Sequence, residues 1–233
     1  ASAIGIEEER RKTGEILEHR IKFEEIITTI SANFIKIEPE NIDKEISRAL
    51  ETIGRFVGVD RSYIFLINEQ GTKASNAYEW CAEGIEPLKG QLQNMPVDRV
   101  PWFTEKLKRL EAVHIPRLED FPKEAAAERE FIEAQGVKSI VLVPMTYGKA
   151  PIGLIGFDSV RNEQNWSEDN ISLLKTIGEI FTNSLEHKKA EEAIGSGERF
   201  LNSIFNSIQD GISILDKDLN IISVNPTMEK WYE

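Results

Sequence analysis

Three histidines, one cysteine and a scattering of carboxylates are the side chains with which this 233-residue chain could do chemistry. His19 is followed by Arg20-Ile21-Lys22 and His187 by Lys188-Lys189. A phosphoacceptor histidine typically precedes an acidic residue with a proline a few positions on, so both are expected on solvated helix faces. His114 sits in an apolar strand pattern, where it could face a pocket as a haem or metal ligand. No recognisable ligand spacing surrounds it, which favours a hydrogen-bonded structural histidine. Cys81 is the only cysteine, which excludes an intramolecular disulfide framework and any multi-cysteine zinc or iron–sulfur site. Following Trp80 at a strand end, it reads as a small hydrophobe or unreactive thiol.

The remaining motifs carry no reaction either. Gly153 and Gly156 lack the third glycine of a dinucleotide fingerprint and lie in a strand pattern, where close backbone approach explains them better. Asp158 and the Glu119-Asp120 pair form no recognisable acid–base couple, and there is no nucleophile motif. No catalytic residue, no metal and no cofactor is expected.

The elements that must hold these residues are legible from periodicity. Glu7 to Phe34 has an apolar stripe at Ile16, Phe23, Ile27, Ile30 and Phe34, with Glu18/Lys22 as a favourable i,i+4 pair. A second helix is predicted from Asn41 to Val57. Tyr63–Ile67 is a continuous apolar β-rich run, hence a strand covered on both faces. Asn68-Glu69-Gln70-Gly71 turns it into a partner at Lys73–Trp80. Gly84, Pro87, Gly90 and Pro96 mark a long loop between Cys81 and Arg99. Pro101 starts a short helix through Leu110, Val113–Ile115 is a brief strand, and Glu124–Gln135 is a helix closed by Gly136. Ser139–Thr146 and Ile152–Ser159 form a hairpin, and a long helix follows Ser167, its N-cap. The resulting fold class is α+β: a central antiparallel sheet covered by helices on both faces, with long N- and C-terminal helices.

Composition bounds the setting. Twenty-eight basic against 40 acidic residues give a net charge of −12, which argues against a partner held through phosphates, so no nucleic acid is expected. No uncharged stretch exceeds ten residues, about half a bilayer span, so no membrane contact is expected from this segment. The charged run Glu7–Lys12 follows Ala1-Ser2-Ala3 at the start, unlike a signal peptide. A soluble cytoplasmic chain is the expectation.

Several residues carry a resemblance in order along the chain. They are Glu79-Trp80 with Glu83-Gly84-Ile85, Pro101-Trp102, Gln135-Gly136-Val137-Lys138-Ser139, Val143-Pro144, Gly153-Leu154-Ile155-Gly156-Phe157-Asp158 and Trp166-Ser167-Glu168-Asp169. Over about residues 20–190 this pattern resembles the GAF domains of microbial multidomain sensor proteins, chiefly histidine kinases. From Glu198, the stretches Glu198-Arg199-Phe200, Ile208-Gln209-Asp210-Gly211-Ile212 and Asp216 through Asn225-Pro226 resemble the start of a PAS domain. Two strands, Ile212–Leu215 and Ile221–Val224, belong to it, and so short a piece cannot bury a core alone.

The resemblance implies an organisation. Residues 1–19 would be a helical extension, 20–187 a sensory domain, 188–199 a helical linker and 200–233 an incomplete PAS-like segment. The linker would be helical and dimeric in relatives, but Gly195-Ser196-Gly197 predicts a hinge or helix break. The function implied is a sensory input module, not itself an enzyme, relaying a change to a downstream output domain such as a histidine kinase. The alternatives are a ligand-free dimerisation or spacer module and a haem- or bilin-binding sensor, in which a cysteine would carry the chromophore. A small-molecule effector would sit in a pocket between the middle helices and the sheet. Trp80, Trp102, Phe103, Phe121, Phe131 and Phe157 are the candidates for its walls, or else simply fill the core. Ile16, Phe23, Ile30, Leu174, Phe181 and Leu185 recur at spacings of seven and four. They pack within one chain or across a homodimer, and family habit favours the homodimer.

Overall fold

A computed structural model describes residues 3–231, except the side chains at 3–9, 12, 13, 15, 16, 19 and 173. Ile16 and His19 therefore lie outside the described side chains. The chain divides into two compact units, Ala1–Glu186 and His187–Glu233.

The first unit is built on a six-stranded, fully antiparallel sheet. In chain order its strands are β1 Arg61–Ile67, β2 Lys73–Cys81, β3 Met95–Pro96, β4 Val113–Ile115, β5 Ser139–Tyr147 and β6 Ala150–Ser159. Across the sheet they run β3-β2-β1-β6-β5-β4. The long loop expected between Cys81 and Arg99 therefore contains one short strand, β3, which pairs with Lys73 and Ala74. Two residues are too few to leave a period-2 signature.

The helices are α1 Ala3–Ile35, α2 Ile42–Val57, α3 Pro101–Lys108, α4 Ala126–Glu133 and α5 Glu168–Ser207. The sequence of α2 explains its packing. Ile42, Ile46, Leu50 and Ile53 fall on one face at helical spacing and are all 0–1% exposed. Each buried side chain of this size contributes about 1.5–3 kcal/mol. Gly58 then ends the helix in the left-handed conformation (φ 75°), its N–H donating to Gly54 O at 3.0 Å.

One face of the sheet packs with α1, α2 and the first part of α5 in a core that includes Phe23, Leu50, Ile64, Ile155, Phe157 and Phe181. The other face packs with α3 and α4 through Tyr63, Phe103, Phe121, Ile132 and Leu142. β1 contributes Ile64 to the first core and Tyr63 to the second, which is the double coverage its apolar run predicts.

One expectation is corrected. Gly195-Ser196-Gly197 does not break the helix, because α5 runs from Glu168 to Ser207. Each glycine costs about 1 kcal/mol relative to alanine, and the flanking Glu186–Ala193 and Arg199–Leu201 are mostly good helix formers that carry the turn through.

The second unit holds β7 Ser213–Leu215, β8 Ile221–Val224 and α6 Pro226–Glu229. β7 and β8 pair antiparallel. Asp216 shapes the turn between them by accepting from the backbone N–H of Asp218 (2.8 Å) and Asn220 (2.9 Å). Asn225 caps α6, its Oδ1 accepting from Met228 N at 3.0 Å. Among the described residues, no helix is long and apolar enough to cross a membrane.

Candidate ligand-binding site

Alternation along the strands decides which side chains meet between the sheet and the short helices. On β1, Arg61, Tyr63, Phe65 and Ile67 point to the α3/α4 side. Register then brings Arg61 opposite Asp158 on β6 and Tyr63 opposite Glu79 on β2. Tyr63 also faces Gly156, where a Cβ would lie 2.2 Å from the Tyr63 ring. The missing side chain lets the ring lie across β6, and Tyr63 Oη donates to Asp158 Oδ1 at 2.8 Å. Gly153 has a similar role, since a Cβ there would stand 2.1 Å from Phe65 O. Both glycines serve close approach within the sheet.

These residues line a partly open cavity of about 160 Å3. Apolar walls come from β1, β5, β6, α3 and α4, among them Tyr63, Phe65, Phe103, Phe131, Leu142 and Leu154. Arg61, Asn76, Glu79 and Asp158 supply a polar end, and Gly71 and Pro151 lie toward the opposite ends of the same strands. Leu88 and Leu92 of the long loop close a further side. Glu79 holds that loop down: its carboxylate accepts from Leu88 N at 2.9 Å and Lys89 N at 2.8 Å. Asn76 N also donates to Leu92 O at 2.9 Å.

The polar end is buried and incompletely satisfied. Arg61 is 4%, Asn76 1% and Asp158 2% exposed. Arg61 Nε donates to Glu86 O at 3.3 Å, while Nη1 stands 3.7 Å from Asp158 Oδ2. Arg61 Nη1 and Asn76 Oδ1 have no hydrogen-bond partner. Burial pushes the Asp158 carboxyl up to about 7, against the Tyr63 hydroxyl and Arg61 guanidinium, which favour its charged form. Burial, and then the neighbouring Asp158, push the Tyr63 hydroxyl well above its ordinary range.

The six sequence-predicted wall residues are not brought together. Phe103 and Phe131 line the cavity. Trp102 and Phe121 belong to the same side, packed against Phe103 with ring centroids 5.6 and 6.2 Å away. Trp80 and Phe157 are corrections, because both lie in the core on the other face of the sheet. Strand alternation puts them there: Glu79 and Asp158, their neighbours, face the cavity instead. Arg61 and Asn76 escaped the sequence reading. The signal was a charged residue sharing the odd-numbered face of β1 with Tyr63 and Phe65.

The helical stripe residues are also corrected. Phe23, Ile30, Leu174 and Phe181 are 0–4% exposed within this chain, and Leu185 packs half-buried against the same core. Their seven-residue rhythm is an ordinary core-facing stripe over too few turns to specify a partner helix.

The other candidates are structural. His114 Nε2 accepts from Trp166 N at 3.3 Å, the two rings lie edge-on at 5.6 Å, and burial holds the imidazole below its usual range. His187 is exposed, with Glu191 Oε1 3.7 Å from its Nε2. Burial, then the charge of Glu79, pushes the Cys81 thiol up to about 11, the opposite of an activated nucleophile. Glu119 and Asp120 pair with Arg117 at 3.3 and 3.0 Å. Among the described residues no group of three or more His, Cys, Asp or Glu side chains could hold a metal ion.

Comparison with known proteins agrees with this architecture. Residues 41–185 match the GAF domain family and residues 199–233 match a PAS domain family. The methanogenesis regulatory histidine kinase FilI of Methanothrix harundinacea (strain 6Ac) is 28% identical over 165 residues, 66% of this chain and 18% of that protein. Among solved structures, the phycoerythrobilin-bound GAF domain of a cyanobacterial phytochrome superposes with a TM-score of 0.60 at 19% identity, covering 72% of this chain and 96% of that one. The chromophore-binding domain of the bacteriophytochrome RpBphP3 from R. palustris gives 0.62 at 12% identity, over 75% of this chain and 63% of that one. At such identities the likeness is one of fold.

Proposed function

The chain belongs to the GAF domain family, and we propose from that premise that it is the sensory input segment of a cytoplasmic signal-transduction protein. In this reading residues 20–187 form the sensory body, 1–19 a helical extension, 188–199 a linker and 200–233 the PAS-like segment. A small effector occupies the cavity between the sheet and α3/α4. The change is relayed through the terminal helices to an output domain, a histidine kinase by analogy with FilI. The observation that carries the reading is a cavity of about 160 Å3 whose buried end keeps Arg61 Nη1 and Asn76 Oδ1 without partners. A ligand-free spacer would fill such a space with its own side chains. Binding shifts the output only as far as the effector prefers one helix arrangement over another.

The bilin alternative finds less support. The Cys81 thiol, pushed up by burial, is not activated for attachment. Homodimerisation is part of the proposal and is assigned to Leu17 and Ile21 of α1, which are 57% and 49% exposed.

A metabolite library screened by thermal shift tests the function. Small ring-bearing compounds are expected to raise Tm for the native chain and to lose that effect in Leu142→Phe, which fills the cavity. A library without a single stabilising compound, or hits indifferent to Leu142→Phe, would contradict it.

A further inference from the structure

The chemistry of the cavity's polar end narrows the kind of molecule it takes. Arg61 Nη1 is a buried donor without an acceptor and Asn76 Oδ1 a buried acceptor without a donor. Asp158 Oδ2 lies 3.7 Å from Arg61 Nη1, beyond hydrogen-bond length. A buried polar atom left unpaired has lost its water without gaining a partner, so a group that supplies the missing partner binds with an advantage. A donor and an acceptor side by side, Arg61 Nη1 and Asp158 Oδ2, call for a head that accepts from one and donates to the other. Asn76 Oδ1 provides a second acceptor on the same wall.

Charge selects among such heads. One guanidinium, Arg61, shares the end with two carboxyl groups, Asp158 and Glu79. Glu79 is already held by the backbone N–H groups of Leu88 and Lys89 and by Asn76 Nδ2 at 3.2 Å. A bound anion would stand against these carboxyl groups, and a bound cation against Arg61, all away from water where such repulsions are weakly screened. The same volume, about 160 Å3, is on the scale of one ring.

Resting on the effector-site reading, we infer that the ligand is a neutral, single-ring molecule with a carboxamide-type head. The head accepts from Arg61 Nη1 and donates to Asp158 Oδ2, and the ring lies among Tyr63, Phe103, Phe131 and Leu142.

Four probes of one shape and different heads test this on the 233-residue chain: benzamide, benzoate, benzylamine and toluene, titrated by ligand-observed NMR at pH 7.5. Benzamide is expected to bind at least tenfold more tightly than each of the others. In Arg61→Met its advantage over toluene is expected to disappear, while toluene binding is unchanged. The wild-type ranking decides by itself if that variant fails to fold. Benzoate, benzylamine or toluene binding as well as benzamide would overturn the inferred head and leave the effector site standing, with water serving the polar end if toluene is the equal. Failure of all four to bind would count against the cavity as a site and overturn both.

Discussion

At the scale of single residues, the cavity depends on what is missing as much as on what is present. Gly156 makes room for Tyr63, whose hydroxyl reaches Asp158. Gly156→Ala is expected to displace that ring and lower stability by about 1–3 kcal/mol, the usual cost of overpacking, read as a fall in denaturant midpoint; an unchanged midpoint would contradict the packing described. Asp158 carries a pH signature. Its carboxyl titrates at about 7 in the folded chain against an ordinary value of 3.8. The folded state therefore holds a proton that the unfolded state has released, so this contribution to stability is full below about pH 4 and lost as pH rises through 7. Between those values stability should fall by about 1.4 kcal/mol per pH unit from this group. Asp158→Asn keeps an acceptor for Tyr63 and is expected to flatten that slope in urea melts from pH 4 to 8. A slope identical to wild type would show that Asp158 is ionised in the folded chain.

At the scale of elements, strands and helices were legible because their periods differ. The apolar run of β1, the stripe of α2 and the hairpin of β5 and β6 follow from alternation and helical spacing alone. The sidedness of the aromatics did not. Trp80 and Phe157 look like pocket walls until the register is known, and a one-residue step exchanges them for Glu79 and Asp158. Arg61 was hidden for a related reason, because its meaning depends on facing Asp158 across strands 97 residues apart in sequence. In α5 local propensity misled: two glycines predict a break, yet the helix continues through them. A Cβ at Gly195 would meet only Arg199 Nη1, at 3.7 Å, and one at Gly197 nothing within 4 Å. Alanine at both positions is accordingly expected to stabilise this stretch by about 1 kcal/mol per site, seen as slower amide exchange over residues 190–200. Faster exchange there would mean that the glycines relieve a strain alanine cannot.

At the scale of the whole molecule, the chain spans only 18% of the histidine kinase relative it matches, so output and stimulus belong to the proposal. The seven-residue rhythm at Phe23, Ile30, Leu174 and Phe181 proved to be core packing, and Leu17 and Ile21, among the described exposed apolar residues of α1, are where the proposal places a second copy. If they do so, Leu17→Glu with Ile21→Glu is expected to convert a dimer to a monomer in sedimentation equilibrium without lowering Tm. A wild-type chain that sediments as a monomer at high micromolar concentration would remove dimerisation from the account. The effector cavity itself is tested most directly by methyl NMR on the 233-residue chain, labelled at isoleucine, leucine and valine, as a mixture of small ring-bearing metabolites is added. Shifts are expected at Leu92, Val100, Leu142 and Leu154, with Leu50, Ile53, Leu174 and Ile177 across the sheet responding weakly. A spectrum that does not move, or one that moves first on the Leu50 and Leu174 side, would contradict it.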